Sequence, residues 1–362
     1  MEIKKLTEIC TPKQWKTLSM EQLQTSGFPV YGANGKIGFY SEYNHEEKTL
    51  MITCRGATCG SINISEPKSW INGNAMCLDN LRDDVYITYL EHFLKNYDFS
   101  KIITGSAQPQ ITRESLSNVK IKIFSIETQK QIATMLDKVS KIIAENKELL
   151  VKYDLLIKSR FIEMFGDNPI ENWNVEKLRN TGNFKNGMNF SYEDNGFEIN
   201  CLGVGDFKDN SVISETSVLP IIFLNEKPTD EYLLQKEDIV FVRSNGNKDL
   251  VGRCVLVYPD TLSTFSGFCI RYRKTSEKLN SIYLLQYLKM PNTRKRMSGR
   301  GANIQNLNQQ ILSNLEIPIP PLALQQQFAA FVQQIDKSKF TMQKSLEKAE
   351  TLYKSLMQEY FA

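Results

Sequence analysis

The chain lacks most of what marks a secreted, membrane-bound or catalytic protein. None of its apolar runs reaches the ~18 residues that a membrane span needs. The N-terminal "MEIKKLTEIC" has no apolar core of a signal peptide. A cytoplasmic chain is the expectation. Histidine is nearly missing: His45 and His92 stand far apart, and no Cys-x-x-Cys occurs. Cys54 and Cys59 without an adjacent histidine make a poor zinc pattern. The seven cysteines are an odd number without a secretion signal, which reads as reduced, mostly buried thiols. There is no Walker loop. In "LGVGDFK", Lys208 stands where the third glycine of a dinucleotide loop belongs. "DNPI" misses the Asn-Pro-Pro-aromatic pattern of amino-methyltransferases at Ile170, and Glu277-Lys278 lacks the nuclease spacing after Pro259-Asp260. No catalytic residue, no metal and no cofactor of its own are expected of the chain.

What is present is an ordinary soluble composition, 41% apolar and 23% charged, over 362 residues, enough for two or three domains with real cores. The informative feature is a repeat. Residues 105–165 align without a gap on 301–361, an offset of 196 residues from Gly105 to Gly301. Identities include Ser117-Asn118/Ser313-Asn314, Ile121/Ile317, Gln129/Gln325, Gln131/Gln327, Lys158-Ser159/Lys354-Ser355 and Phe165/Phe361. A match that runs from a glycine loop through a strand into a long helix reads as two copies of one unit.

The end of each copy has helical period. Ile132, Val139, Asn146 and Tyr153 recur every seven residues, with Leu136, Ile143, Leu150 and Ile157 beside them. Met135, Ile142, Leu149 and Leu156 line the other flank. The second copy offers Phe328, Ile335, Met342, Leu346, Leu352 and Leu356. Such heptads predict a coiled-coil seam between two rods, residues 126–166 and 319–362. At ~1.5 Å per residue each rod is about 57 Å long. Two separate amphipathic helices, each packed on its own domain, are the plainer alternative. Pro320-Pro321 stops a strand and launches the second rod. The first copy has Phe124-Ser125 there, with Ser125 or Thr128 as cap. The neighbouring glutamines either bind the domain they leave or face water.

Ahead of each rod lies a strand-rich region, residues 1–125 and 167–318. "TLMITCRGATCG" and "DIVFVRSNG" both read as a strand ending in an arginine loop. Further strands are expected at 61–65, 72–78, 250–259 and 265–273, and short helices at 84–96 and 281–290. The loops are amide-rich and basic: Arg55, Asn72, Asn74, Gln108 and Gln110 in the first copy, and Arg243, Asn245, Lys248, Arg253, Asn303, Gln305 and Asn306 in the second. Arginine suits guanine edges, and Asn or Gln suits adenine edges, in the major groove. The acid-free run "KMPNTRKRMSGR" adds Arg294, Lys295, Arg296 and Arg300 as candidate phosphate contacts.

With "NLEIPIPPLALQQQFAAFVQQID", its weaker upstream copy and "LQKEDIVFVRSNGNKDLVGR", the chain resembles the specificity subunit of type I restriction-modification enzymes over nearly its whole length. The resemblance implies an α+β fold: two mixed α/β target recognition domains in pseudo-twofold repeat, separated by an antiparallel coiled coil of two long helices. It implies that each domain reads half of a split site in double-stranded DNA. It also implies that the helices dock two modification (adenine methyltransferase) subunits and, through them, the motor-nuclease subunits. S-adenosylmethionine, and ATP with Mg for restriction, would then be used by the complex rather than by this chain. The specificity subunit of a related two-subunit restriction system, and a coiled-coil adaptor without DNA reading, are the other readings.

Overall fold

The computed structural model describes residues 1–105, 108–191, 195–207, 211–297 and 306–361, with Lys248 described by its main chain. The chain forms two compact units. One comprises Met1–Glu148 with Met342–Ala362, the other Leu149–Thr341.

The first unit begins with β1 (Glu2–Lys5), α1 (Leu6–Ile9), β2 (Thr11–Gln14), β3 (Phe28–Gly32), β4 (Gly35–Tyr40) and β5 (Leu50–Thr53). It continues with β6 (Ile62–Ile64), β7 (Trp70–Ile71), β8 (Ala75–Asp79), α2 (Ile87–Asn96), α3 (Arg113–Leu116), β9 (Lys120–Ile123) and the start of α4 (Ile126–Phe165). Four strands form one sheet in the order β2-β8-β5-β6, three form a second in the order β4-β3-β7, and β1 pairs with β9. β5 is "LMIT", buried at every position, as a strand covered on both faces must be.

The second unit contains β10 (Val175–Lys177), β11 (Gly182–Asn186), β12 (Phe197–Leu202), β13 (Val212–Ile213), β14 (Ile221–Leu224), β15 (Asp238–Val242) and β16 (Cys254–Val257). There follow β17 (Ser263–Phe265), β18 (Cys269–Lys274), α5 (Ser281–Lys289), α6 (Pro291–Met297), α7 (Gln309–Ser313), β19 (Glu316–Pro318) and the start of α8 (Leu322–Phe361). Its sheets run β11-β18-β15-β16-β13 and β14-β12-β17, and β10 pairs with β19. Apart from β13, this is the topology of the first unit. Even the mixed pairing recurs: β3 is antiparallel to β4 and parallel to β7, as β12 is to β14 and β17.

The repeat extends to single bonds. Leu6 N donates to Val119 O, and Leu178 N to Leu315 O. Tyr89 Oη donates to Lys122 O at 2.7 Å, and Tyr283 Oη to Pro318 O at 3.3 Å. Gln129 accepts from Tyr86 N and donates to Asp84 O and Phe124 O. Gln325 accepts from Asn280 N and donates to Lys278 O and Pro320 O. Both amides are fully buried, so these two glutamines fasten each long helix to the domain it leaves, whereas Gln131, Gln326 and Gln327 face solvent. The corner therefore differs in sequence but not in function: Pro320-Pro321 precede α8, and Ser125 Oγ caps α4 by accepting from Thr128 N at 3.3 Å.

α4 and α8 have 40 residues each. In the first unit the N-terminal half of α4 packs on the C-terminal half of α8. Ile132, Leu136 and Val139 share a core with Ala349, Leu356 and Met357. In the second unit the halves are exchanged, with Ile157, Phe161 and Phe165 packed with Phe328 and Val332. The helices are thus antiparallel within each unit. Ile143, Leu150, Tyr153, Ile335, Met342 and Leu346 are half-buried, and Asn146 is buried with its Nδ2 on Ser345 Oγ at 3.2 Å. Leu352 corrects the expected seam: it is 50% exposed. At 3.6 residues per turn it lies roughly 70° from the centre of the buried stripe through Ala349, Tyr353 and Leu356. Met135, Ile142, Leu149 and Leu156 also face solvent, between 37% and 46% exposed. The second α2-like helix, α5, joins an aromatic cluster with the end of α4: Phe165 lies 4.7 Å from Tyr283 and 5.5 Å from Phe328 between ring centroids. Its counterpart in the first unit is Tyr89 with Phe361, at 5.1 Å. α4 ends at Gly166, whose φ of +94° suits the left-handed position after a helix.

Two expected strands are shorter than read. The strand expected at 72–78 begins at Ala75, because Asn72–Asn74 form its turn. The one expected at 250–259 is Cys254–Val257, because Lys248–Leu250 is a tight helical turn.

Candidate nucleic-acid interface

In the first unit, three stretches meet at one end of the four-stranded sheet. Cys54, just past β5, donates its N–H to Asn74 O and accepts from Ile111 N. The next residue, Arg55, bridges to Gln110, and Gly56 N donates to Pro109 O. Arg55, Asn74, Gln108 and Gln110 are all exposed there. Gln14, at the end of β2, reaches the same place, with its Nε2 on Gly73 O at 2.7 Å. Thr58 Oγ1 donates to Asn34 Oδ1 at 2.6 Å beside it. Sequence reasoning missed Gln14, Asn34 and Thr58, since no local pattern joins a strand end and two separate loops.

Asn72 is a correction. It is 3% exposed, and its Oδ1 accepts from Leu18 N at 3.0 Å. Its carboxamide holds the chain after β2, so it has no free edge to offer a base.

The second unit repeats the framework with other side chains. Arg243, just past β15, donates its N–H to Phe268 O and accepts from Leu307 N. The next residue, Ser244, bridges to Asn306. Arg243 therefore occupies the position of Cys54, and Ser244 that of Arg55. The two arginines are not equivalent, as the sequence had suggested, but one residue out of step. Adjacent residues of an extended chain point to opposite faces. The same bonds make Asn74 and Phe268 equivalent, and Gln110 and Asn306. Phe268 is 62% exposed, an aromatic side chain that no motif announced.

The remaining candidates divide. Asn245 Oδ1 accepts from Asn247 N at 2.8 Å and shapes the loop. Arg253 is half-buried where that loop returns to β16. Arg294 Nη2 donates to Asp249 O and Val251 O, at 3.0 and 3.2 Å, and fastens α6 to the loop. Arg296 Nη2 bonds Tyr287 Oη. These two arginines hold structure together, which corrects the expectation of an open phosphate-binding run. Lys295 is the exposed cation of the three. The Lys248 side chain, Arg300, Asn303 and Gln305 lie outside the described residues.

Among the described residues no helix is long and apolar enough to cross a membrane. Six of the thiols are buried and Cys59 is half-buried. Burial pushes Cys10, Cys201 and Cys254 up to about 12, which leaves them inert.

Comparison with known proteins agrees with this geometry. The profile of the type I restriction modification DNA specificity domain matches twice, at residues 1–152 and 170–351. The chain is 25% identical over 345 residues to the type I restriction enzyme MjaVIII specificity subunit of Methanocaldococcus jannaschii, covering 86% of this chain and 77% of that one. It is 26% identical over 332 residues to the StySPI specificity subunit of Salmonella potsdam, covering 85% and 67%. In fold it is similar to the type I restriction-modification S subunit from M. genitalium, with a TM-score of 0.65 at 16% identity, over 100% of this chain and 96% of the other. Two sequence matches and one repeated scaffold lead to a single conclusion: the chain belongs to the family of type I restriction-modification DNA specificity subunits, and it carries the specificity domain in two copies.

Proposed function

We propose that each of the two domains reads one half of a bipartite DNA site with an unread spacer, and that the long helices dock adenine methyltransferase subunits. The observation that carries this reading is a constant frame with changed side chains. The bonds Ile111 N–Cys54 O and Leu307 N–Arg243 O hold the same loop in both domains. At its tip the first domain presents Arg55, Asn74 and Gln110, where the second presents Ser244, Phe268 and Asn306. Equivalent scaffolds with different polar and aromatic tips are what two readers of different sequences require, because base edges carry the sequence information and the backbone does not.

Docking is supported by α4. Met135, Ile142, Leu149 and Leu156 recur every seven residues and face solvent, an apolar stripe of the kind that marks a protein contact. S-adenosylmethionine would be bound by the modification subunits, and ATP with Mg by the motor-nuclease subunits.

The test is to coexpress the chain with type I methyltransferase subunits and map methylated adenines across a genome. The expected result is a split motif, lost when Ile142 and Leu149 are both replaced by Glu. Binding to DNA that ignores sequence, and no motif in the map, would favour an adaptor without a reading function. A motif produced by a single modification-restriction polypeptide partner would favour the two-subunit system.

A further inference from the structure

The fold gathers three donor side chains that the sequence scatters. Cys77 and Asp79 are two residues apart in β8 and so share a face of the sheet. His45 reaches them from the loop between β4 and β5. One of its ring nitrogens, the Cys77 Sγ and an Asp79 carboxylate oxygen all lie within 4.8 Å of one another. His45 Nε2 is 3.0 Å from Asp79 Oδ1.

The protons decide what this cluster is. Asn44 donates through Nδ2 to Ile71 O at 3.0 Å and accepts through Oδ1 from Ile71 N at 2.8 Å. That pair of bonds fixes which atom of the carboxamide is oxygen. The same Oδ1 lies 2.6 Å from His45 Nδ1, so Nδ1 carries the proton. In a neutral ring Nε2 is then a bare lone pair facing a carboxylate oxygen. Two acceptors at that distance need a cation between them, a proton or a metal ion. Asp79 Oδ2 is already engaged by Trp15 Nε1–H at 2.9 Å. The Cys77 side chain is fully buried beside them, without a hydrogen bond for its thiol among the described residues.

We propose that His45, Cys77 and Asp79 bind a zinc ion that fastens the loop between β4 and β5 to the sheet of the first domain. One nitrogen, one sulfur and one oxygen suit Zn²⁺, while Mg²⁺ and Ca²⁺ take oxygen donors. Zn²⁺ with one thiolate and one carboxylate is neutral, which avoids a net buried charge. Asn44 does what a partner of a metal-bound histidine does: it holds the ring by its other N–H. Water would complete the tetrahedron.

The second domain closes the same place differently. Thr53 faces Ala75 as Val242 faces Cys269, so Cys77 and Asp79 correspond to Arg271 and Arg273. Arg273 makes two bonds of 2.8 Å to the Asp238 carboxylate there. The metal centre belongs to the first domain.

The full chain, stripped with a chelator and titrated with Co²⁺, tests this. The expected result is one equivalent bound, a thiolate-to-cobalt absorption band in the near ultraviolet, and protons released on binding. Zn²⁺ should erase the band. Cys77→Ser should abolish it with the circular dichroism unchanged, Cys59→Ser should leave it, and Asn44→Ala should weaken binding about 10–100-fold. A folded chain that gives no band, or a band that survives Cys77→Ser, would overturn the proposal in favour of an imidazolium–carboxylate pair beside an inert thiol. Should Cys77→Ser fail to fold, metal analysis of the wild-type chain purified without chelator decides: one zinc per chain supports the centre, and none overturns it.

Discussion

Gln129 and Gln325 are buried amides in the first turn of two long helices, and every partner they bond outside that turn is main chain. Removing either side chain leaves one N–H and two carbonyls of the main chain without that partner, most of them part-buried. Each orphaned group costs about 1–3 kcal/mol. Gln325→Ala should therefore lower stability in denaturant titration by at least about 2 kcal/mol, while Gln326→Ala and Gln327→Ala stay within about 0.5 kcal/mol. The loop residues separate in the same way. Arg55→Ala should leave stability intact and weaken binding to one half-site by about 1–3 kcal/mol, as loss of a base contact does. Asn72→Ala should destabilise the first domain instead, by releasing Leu18 N. Unchanged affinity and motif for Arg55→Ala would make that residue idle. A third residue sets acid sensitivity. Asp260 accepts from Ser217 Oγ at 2.7 Å and Thr216 Oγ1 at 2.9 Å, and these bonds hold its carboxyl well below the usual 3.8, at about 2. A depressed value contributes stability above pH ~3.8 that is lost as the pH falls through about 2. Asp260→Asn should flatten that part of the acid-unfolding curve by lowering stability at neutral pH towards the acid value, while the two proteins converge below about pH 2.

At the level of elements, the seam between α4 and α8 carries a polar interruption. Asn146 is 7% exposed among apolar positions, and its Nδ2 donates to Ser345, itself exposed. A buried asparagine in such a stripe fixes register at some cost in stability. Asn146→Leu should raise the unfolding free energy by about 1 kcal/mol, since water can satisfy Ser345 once the bond is gone. Thermal unfolding of the variant beside the parent measures it, and a fall would show that the bond outweighs the burial. α6 teaches a related lesson about charge. Its three adjacent cations look alike in sequence, but Arg294 and Arg296 are anchored internally. Salt dependence of DNA binding should therefore respond to Lys295→Gln more cleanly than to Arg294→Gln, whose loss also frees the loop at Asp249 and Val251.

For the whole molecule, the backbone character of the attachments matters most. The bonds from Gln325 to Asn280 N and Lys278 O ask nothing of the side chains at those positions. A domain from a relative with the same scaffold keeps them. Exchange should therefore work, provided the cuts respect the pairing of β10 with β19 and fall outside Val175–Pro318. A graft of residues 167–319 should change one half-site and preserve the other, read from the map of methylated adenines. An active chimera with both half-sites altered would contradict independent reading.

Periodicity and the repeat were enough to locate both long helices and to show that the chain contains one unit twice, because heptads and ungapped identity are local properties of the sequence. Gln129 and Gln325 stood out as identities at one offset, though not as anchors. Where the loops meet was hidden. The pairing of Arg55 with Gln110 and of Ser244 with Asn306 joins residues far apart in the chain, and it moved the second arginine one position from its expected equivalent. Leu352 was misplaced because it stands off the seven-residue row: counting by seven from Phe328 reaches Ala349 and Leu356, and both are buried. The cluster of His45, Cys77 and Asp79 left no spacing signal at all: a loop and a strand supply the donors, and only the packing of one against the other brings a nitrogen, a sulfur and an oxygen within reach of a single ion.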